Sequence, residues 1–259
     1  MPRTRQLRLA GGLLLAACES TFLPLRREFE VGRDPMVVFV GGNGPAGGDL
    51  YAVSTAGGRA IPVTFSTVGE MRPALAPAGG AVAFLRAGSL TDSAPASVWV
   101  MNLINGAERQ VELPEGAGPP EQVGWTDGGR SLVMRAGGRL YRAEAPPAEG
   151  AARPVSGAER ASAESALAVL LGSPAFARAV PCANPEDLCV VGDTGSPALL
   201  ARGAREPARW GDDSVAYIER DRLVVRPLAA GRARQVEWTA LPARPRQPSV
   251  FAGATAEPR

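Results

Sequence analysis

The chain has 259 residues, and among them there is no lysine and no histidine. Without histidine, a Ser-His or Cys-His nucleophilic pair cannot be built within the chain, and neither can a histidine-based zinc site. Without lysine, a Ser-Lys pair and a Schiff base are excluded as well. Three cysteines are too few for a thiolate zinc site if one of them is used elsewhere. Aromatic residues make up only 5%, so aliphatic side chains must fill most of the core. No glycine-rich segment stands between a strand and a helix, as a phosphate cradle requires. No metal and no cofactor are expected. Net charge is small: +2 formally, with 28 arginines against 26 acids. Setting aside Arg3, Arg5 and Arg8 leaves 25 basic and 26 acidic residues, a balance that offers no electrostatic grip on nucleic acid.

The first eighteen residues have their own pattern. A basic stretch to Arg8 precedes a nine-residue apolar run, Leu9 to Ala17. That run is too short for a membrane-spanning helix of about 20 residues and has the form of a secretory signal. It ends Leu15-Ala16-Ala17-Cys18, which resembles the lipobox of bacterial lipoproteins. The resemblance implies cleavage before Cys18, a lipid on Cys18 and attachment to a membrane, where acyl chains anchor by burying methylenes. By the same resemblance to lipoprotein sorting, the absence of Asp at the next position, which is Glu19, leans toward the outer membrane of a Gram-negative bacterium, with the body of the protein in the periplasm. A plain signal peptide cut nearby is the alternative. The expected organisation is a signal peptide over 1–17, a tether over 18–34, a folded domain over 35–240 and a flexible tail over 241–259.

Glycine (31) and proline (24) are abundant, which suits a fold of many turns. The stretch Ser97 to Met134 is the clearest part: a strand, the turn Asn105-Gly106, a returning strand, then Val123-Gly124-Trp125, a tight turn and another strand. Similar runs occupy 36–40, 49–53, 81–85, 139–142, 187–191, 214–218 and 223–226. Residues 158–171 are rich in Ala and Leu, begin with acids and stop at Gly172, and so predict a short helix inserted on one face. Leu75, Trp125, Phe176 and Trp210 precede tight turns at spacings of 50, 51 and 34, a mean of 45. That is near the 40–45 residues of a four-stranded propeller blade.

The units resemble the TolB-type, WD-like propeller repeat. The match is carried by Trp125-Thr126-Asp127-Gly128, by 207–217 from Pro207 to Tyr217, by Asp49-Leu50-Tyr51, and more loosely by 73–84. It covers roughly residues 35–240 and implies an all-β propeller of five blades. Six blades, with terminal segments completing one, and an irregular β-sandwich are the alternatives.

In an exported protein, Cys182 and Cys189 predict a local disulfide that pins a hairpin loop. Carboxylates are the only remaining acid/base groups. Asp34, Glu70, Glu121, Asp187 and Asp212 lie near repeat starts. Five-bladed propellers of glycoside hydrolase families place acids in the central channel, where two carboxylates about 5–9.5 Å apart support hydrolysis. Asp127 and Asp212-Asp213 instead suit turns, and Trp99, Trp125, Trp210 and Trp238 suit blade packing. The expected function is that of a membrane-anchored, non-catalytic scaffold or binding module for an envelope protein or peptide. A carbohydrate-active hydrolase is the alternative.

Overall fold

Apolar positions recurring every second residue, cut by glycine turns, give strands with one face per neighbouring layer. In the computed structural model they form five four-stranded antiparallel sheets. The structure describes residues 25, 28–42, 48–89, 91, 94–146, 150–168, 170–171, 177–192, 195–210, 213–228, 232–239, 242 and 244–253. Blade 1 takes β1 (Met36–Gly41), β2 (Asp49–Ser54) and β4 (Ile61–Pro62), with the short β3 (Gly58–Arg59) between the last two. Blade 2 comprises β5 (Glu70–Leu75), β6 (Ala81–Ala87), β7 (Pro95–Asn102) and β8 (Glu108–Val111). Blade 3 comprises β9 (Pro120–Thr126), β10 (Ser131–Ala136), β11 (Arg139–Glu144) and β12 (Arg153–Pro154). Helix α1 (Arg160–Leu167) follows. Blade 4 has β13 (Leu170–Leu171), β14 (Ala177–Pro181), β15 (Leu188–Val191) and β16 (Pro197–Ala201). Blade 5 has β17 (Ala204–Trp210), β18 (Ser214–Glu219), β19 (Arg222–Pro227) and β20 (Arg234–Gln235). Finally, β21 (Trp238–Thr239) pairs in parallel with β3. The last strand, β22 (Arg246–Phe251), lies beside β1 and supplies the fourth strand of blade 1.

The fold is a five-bladed β-propeller with one short helix, and β22 closes the ring. This moves the boundary of the expected tail: residues 246–251 are a strand, and Phe251 is buried. At the other end, Leu25 and Phe29 pack into the core with Met36 and Val38, so the expected tether contributes to the folded body before residue 35.

Blades stack through apolar clusters. Val38, Leu50, Val82 and Phe84 join blades 1 and 2; Leu85, Val98, Leu132 and Met134 join blades 2 and 3; Val37, Phe39, Ile218 and Val225 join blades 5 and 1. Each face buries aliphatic surface against its neighbour at about 25 cal/mol per Å². Blade 3 differs on its other face. There Val133 and Leu140 pack against Ala163, Ala166 and Leu167 of α1. Ser156 and Glu159 form a capping box that opens a 3-10 turn ahead of the helix, satisfying its first amides. The helix ends where Ala168 turns extended, so it is shorter than the predicted 158–171, and Leu170–Leu171 form β13 instead. Nor does it sit on a propeller face: its end reaches the inner strand of blade 3, where a Cβ on Gly124 would lie 2.7 Å from the Ala166 carbonyl oxygen.

The repeat register also departs from the sequence alignment. Leu75 pairs with Val82 and Trp125 with Leu132, the second residues of β6 and β10. In blade 5 that place belongs to Arg209, opposite Val215, and Trp210 is one residue further on. A one-residue step reverses the side chain's face. Trp125 therefore packs toward blade 2, while Trp210 packs between blades 5 and 1. All four tryptophans are half-buried against blade clusters.

Candidate functional site at the channel

Three of the strands around the central channel carry the same irregularity. Arg72-Pro73 in β5, Glu206-Pro207 in β17 and Gln247-Pro248 in β22 each interrupt pairing with the next strand outward. Proline has no N–H for the ladder and disfavours the α conformation in the residue before it. The result is a bulge in which Arg72, Glu206 and Gln247 take φ of 52°, 54° and 50°. Non-glycine residues in this left-handed region cost about 1 kcal/mol or more each. The other positive-φ non-glycine residues among those described are Asp127, Arg220, Asp221 and Arg244, none of them on the channel strands. Blade 3 has no counterpart: Gln122 is followed by Val123, and its φ is not positive.

The bulges interlock. The Gln247 amide donates to Glu206 Oε2 at 2.7 Å, and the Arg72 amide donates to Gln247 Oε1 at 2.6 Å. Each side chain thus satisfies the bulge amide of the next blade. Two further links run in the same direction around the ring: the Leu75 amide donates to Ser249 Oγ at 2.9 Å, and Trp125 Nε1 donates to the Ala74 carbonyl at 2.7 Å. The series of bulges stops at Arg72. Its guanidinium is exposed and, among the described residues, makes no hydrogen bond or ion pair. Arg72, Gln122, Trp125, Leu167, Glu206 and Gln247 all line a channel cavity of about 560 Å³. A cavity of that size suits a side chain or a short extended segment.

The carboxylates named from the sequence do not converge here. Asp34 accepts the Glu30 amide in an exposed turn, Glu121 accepts the Gly138 amide, and Asp187 accepts the Gly203 amide. Glu70 is fully buried between blades 1 and 2. It accepts the Thr64 hydroxyl at 2.8 Å and Arg86 Nε at 3.1 Å, and burial pushes its carboxyl up to about 7. Asp212 and Cys18 lie outside the described residues. Asp127 ion-pairs with Arg142 in the β9–β10 turn, and Asp213 accepts the Ser214 hydroxyl. Among the described residues lining the channel, Glu206 is the single carboxylate, and it holds the Gln247 amide. Cys182 and Cys189 form a disulfide across the β14–β15 hairpin, as their spacing predicts. Sequence reasoning missed Arg72, Glu206 and Gln247, although the recurring X-Pro dipeptides were a readable signal.

No family model matches the chain, and no curated protein matches it. Solved structures similar to it include TolB from Acinetobacter baumannii, at 14% identity and a TM-score of 0.43, over 83% of this chain and 66% of that one. A streptogramin B lyase is 13% identical with a TM-score of 0.35, over 84% of this chain and 73% of that one. The tricorn protease is 16% identical with a TM-score of 0.32, over 80% of this chain but 20% of that one. The chain therefore spans slightly under two thirds of the length of the TolB it resembles. None of these likenesses bears on activity or partner.

Proposed function

We propose that the protein is a non-catalytic binding module of the cell envelope, held to a membrane through lipid on Cys18, and that it grips an acidic protein or peptide segment at the channel. The observation that carries this reading is the unpaired Arg72 guanidinium, projected from a strained bulge whose amide Gln247 of the neighbouring blade holds, itself held by Glu206. Strain of this kind persists where the surroundings over-determine it, and such positions cluster at ligand sites. A guanidinium presents five donors in a planar fork suited to a carboxylate. Glycoside hydrolysis at the channel needs a second carboxylate within reach, and the described lining offers only Glu206, already engaged by an amide.

A photo-crosslinking residue placed at Gln122, half-buried in the channel lining, should capture a discrete envelope partner, and the capture should fail in Arg72→Glu. The same probe at Gln110, on the exposed outer strand β8, should not capture that partner. Equal adducts from both positions, or capture indifferent to Arg72→Glu, would sink the reading. For the anchor, Cys18→Ser should release the protein from membranes into the soluble fraction; unchanged membrane association would remove that part of it.

A further inference from the structure

A second cleft, of about 470 Å³, opens away from the channel in the seam between blades 1 and 2. Its walls come from the blade-connecting segment with Thr64, Phe65 and Thr67, and from Arg86 and Glu108 of blade 2. Arg86 is fixed in place. Its guanidinium lies 4.4 Å from the Trp99 ring centroid and 5.1 Å from that of Phe84. Nε donates to Glu70 at 3.1 Å and Nη2 donates to Glu108 Oε2 at 2.9 Å. Glu70 is in turn held by the Thr64 hydroxyl, so the network is anchored from both blades.

What this arrangement leaves open is specific. Among the described residues, Nη1 of Arg86, Oε1 of Glu108 and Oγ1 of Thr67 make no hydrogen bond. At the same cleft Phe65 is 60% exposed, the most exposed large apolar side chain described. A positioned donor pair, a positioned acceptor and a hydroxyl therefore accompany an aromatic ring that has no apolar cover. Charge narrows the class of ligand. At the cleft the Arg86 guanidinium and the Glu108 carboxylate stand side by side with opposite charge, so neither a lone anion nor a lone cation gains net attraction from the pair. A neutral ligand with adjacent hydroxyls gains from both, because each hydroxyl donates and accepts. The exposed ring then suits a ligand with a C–H face.

We infer that this cleft binds a neutral polyhydroxylated ring, a monosaccharide or one unit of a glycan, with the ring's C–H face on Phe65 and its hydroxyls on Arg86, Glu108 and Thr67. The site is independent of the channel and of the function proposed for it. It needs no pair of reacting carboxylates, and it is a binding site rather than a hydrolytic one.

The test is saturation-transfer NMR on the full chain with D-glucose, D-galactose and N-acetyl-D-glucosamine, with inorganic phosphate and free lysine as charged controls. At least one of the three sugars should bind; Phe65→Ala should weaken it by about fivefold, the worth of one good aromatic contact, and Glu108→Gln by about tenfold, the worth of a hydrogen bond to a charged group. Phe65 is exposed and Glu108 is replaced by its isostere, so both variants should keep the wild-type circular dichroism and melting temperature. Arg72→Gly, in the channel, should leave sugar binding unchanged. The inference is overturned if none of the three sugars binds, if either cleft substitution leaves binding intact, or if Arg72→Gly abolishes it. Binding of phosphate or lysine in place of the sugars would overturn it too.

Discussion

At the scale of single residues, Glu70 sets a sign that can be measured. Its carboxyl is fully buried, and burial outweighs the opposing help from Thr64 and Arg86, raising it from about 4.5 to about 7. The folded state therefore holds a proton that the unfolded chain releases near pH 4.5. Stability from this group is fully present below the unfolded value and is lost as pH rises through about 7. Raising the carboxyl from about 4.5 to about 7 corresponds to about 3 kcal/mol. Asp49, also raised by burial, contributes in the same direction. The urea midpoint of the wild type should fall between about pH 5 and pH 8, and Glu70→Gln, which keeps an acceptor for Thr64, should flatten most of that slope. An unaltered slope in the variant would mean that the titration lies elsewhere. Nothing local in the sequence marked Glu70 as buried. It read as one acid among five near repeat starts, and its burial follows from the packing of blades 1 and 2, which brings Thr64 and Arg86 onto it.

Among secondary elements, legibility tracks how local the controlling interaction is. Strands β6, β7, β10 and β18 were readable because apolar alternation and glycine turns act within a few residues. The cysteine hairpin was readable for the same reason: Cys182 and Cys189 are seven residues apart. The helix was readable in kind, from its Ala- and Leu-rich run, the acids at its start and Gly172 after it, but not in place. Its seat against Val133, Leu140 and Gly124 is a tertiary fact. Trp210 shows the cost of aligning by residue type: large aromatic residues invited equivalence with Trp125, whereas strand pairing puts Arg209 there. The hairpin carries the prediction at this scale. Blade 4 has an inner strand of only two residues, so the disulfide constrains the sheet with the least pairing to spare. Closing so short a loop is worth about 2–3 kcal/mol. Replacing both cysteines with serine should lower the melting temperature and raise amide exchange in β14 and β15. Reductant should reproduce that loss in the wild type and do nothing further to the double variant. A wild type indifferent to reductant would show that the bond adds no stability.

At the scale of the whole molecule, the ring is closed by a strand with almost no signature of its own. Residues 246–251 read Arg-Gln-Pro-Ser-Val-Phe, with a proline in the middle and a single pair of apolar residues at the end, and the sequence pattern favoured a frayed tail. The strand exists because β1 offers its free inner edge: Met36 pairs with Phe251, Val37 with Val250 and Val38 with Ser249. An open edge on the first blade would expose unpaired amides and leave the propeller without closure. The partner lies more than two hundred residues away in the chain, so no window of sequence could show it. Closure also builds the channel, because β22 brings Gln247 between Glu206 and Arg72. Phe251 anchors the strand: it is buried with Val38 and Val82, and a Cβ on Gly79 would come within 2.6 Å of its ring. Phe251→Ala should therefore cost about 3–5 kcal/mol, as other buried Phe truncations do. Its effect should not stay in blade 1. With β22 loosened, Gln247 no longer holds the Arg72 amide, so partner capture from the Gln122 probe should fall together with stability. Arg72→Gly offers the contrast. It removes the guanidinium while relieving the left-handed strain, so capture should be lost with the melting temperature maintained or raised. If Phe251→Ala lowers stability but leaves channel capture intact at a temperature where the protein stays folded, the bulges are held without the closing strand, and the coupling of closure to binding is refuted.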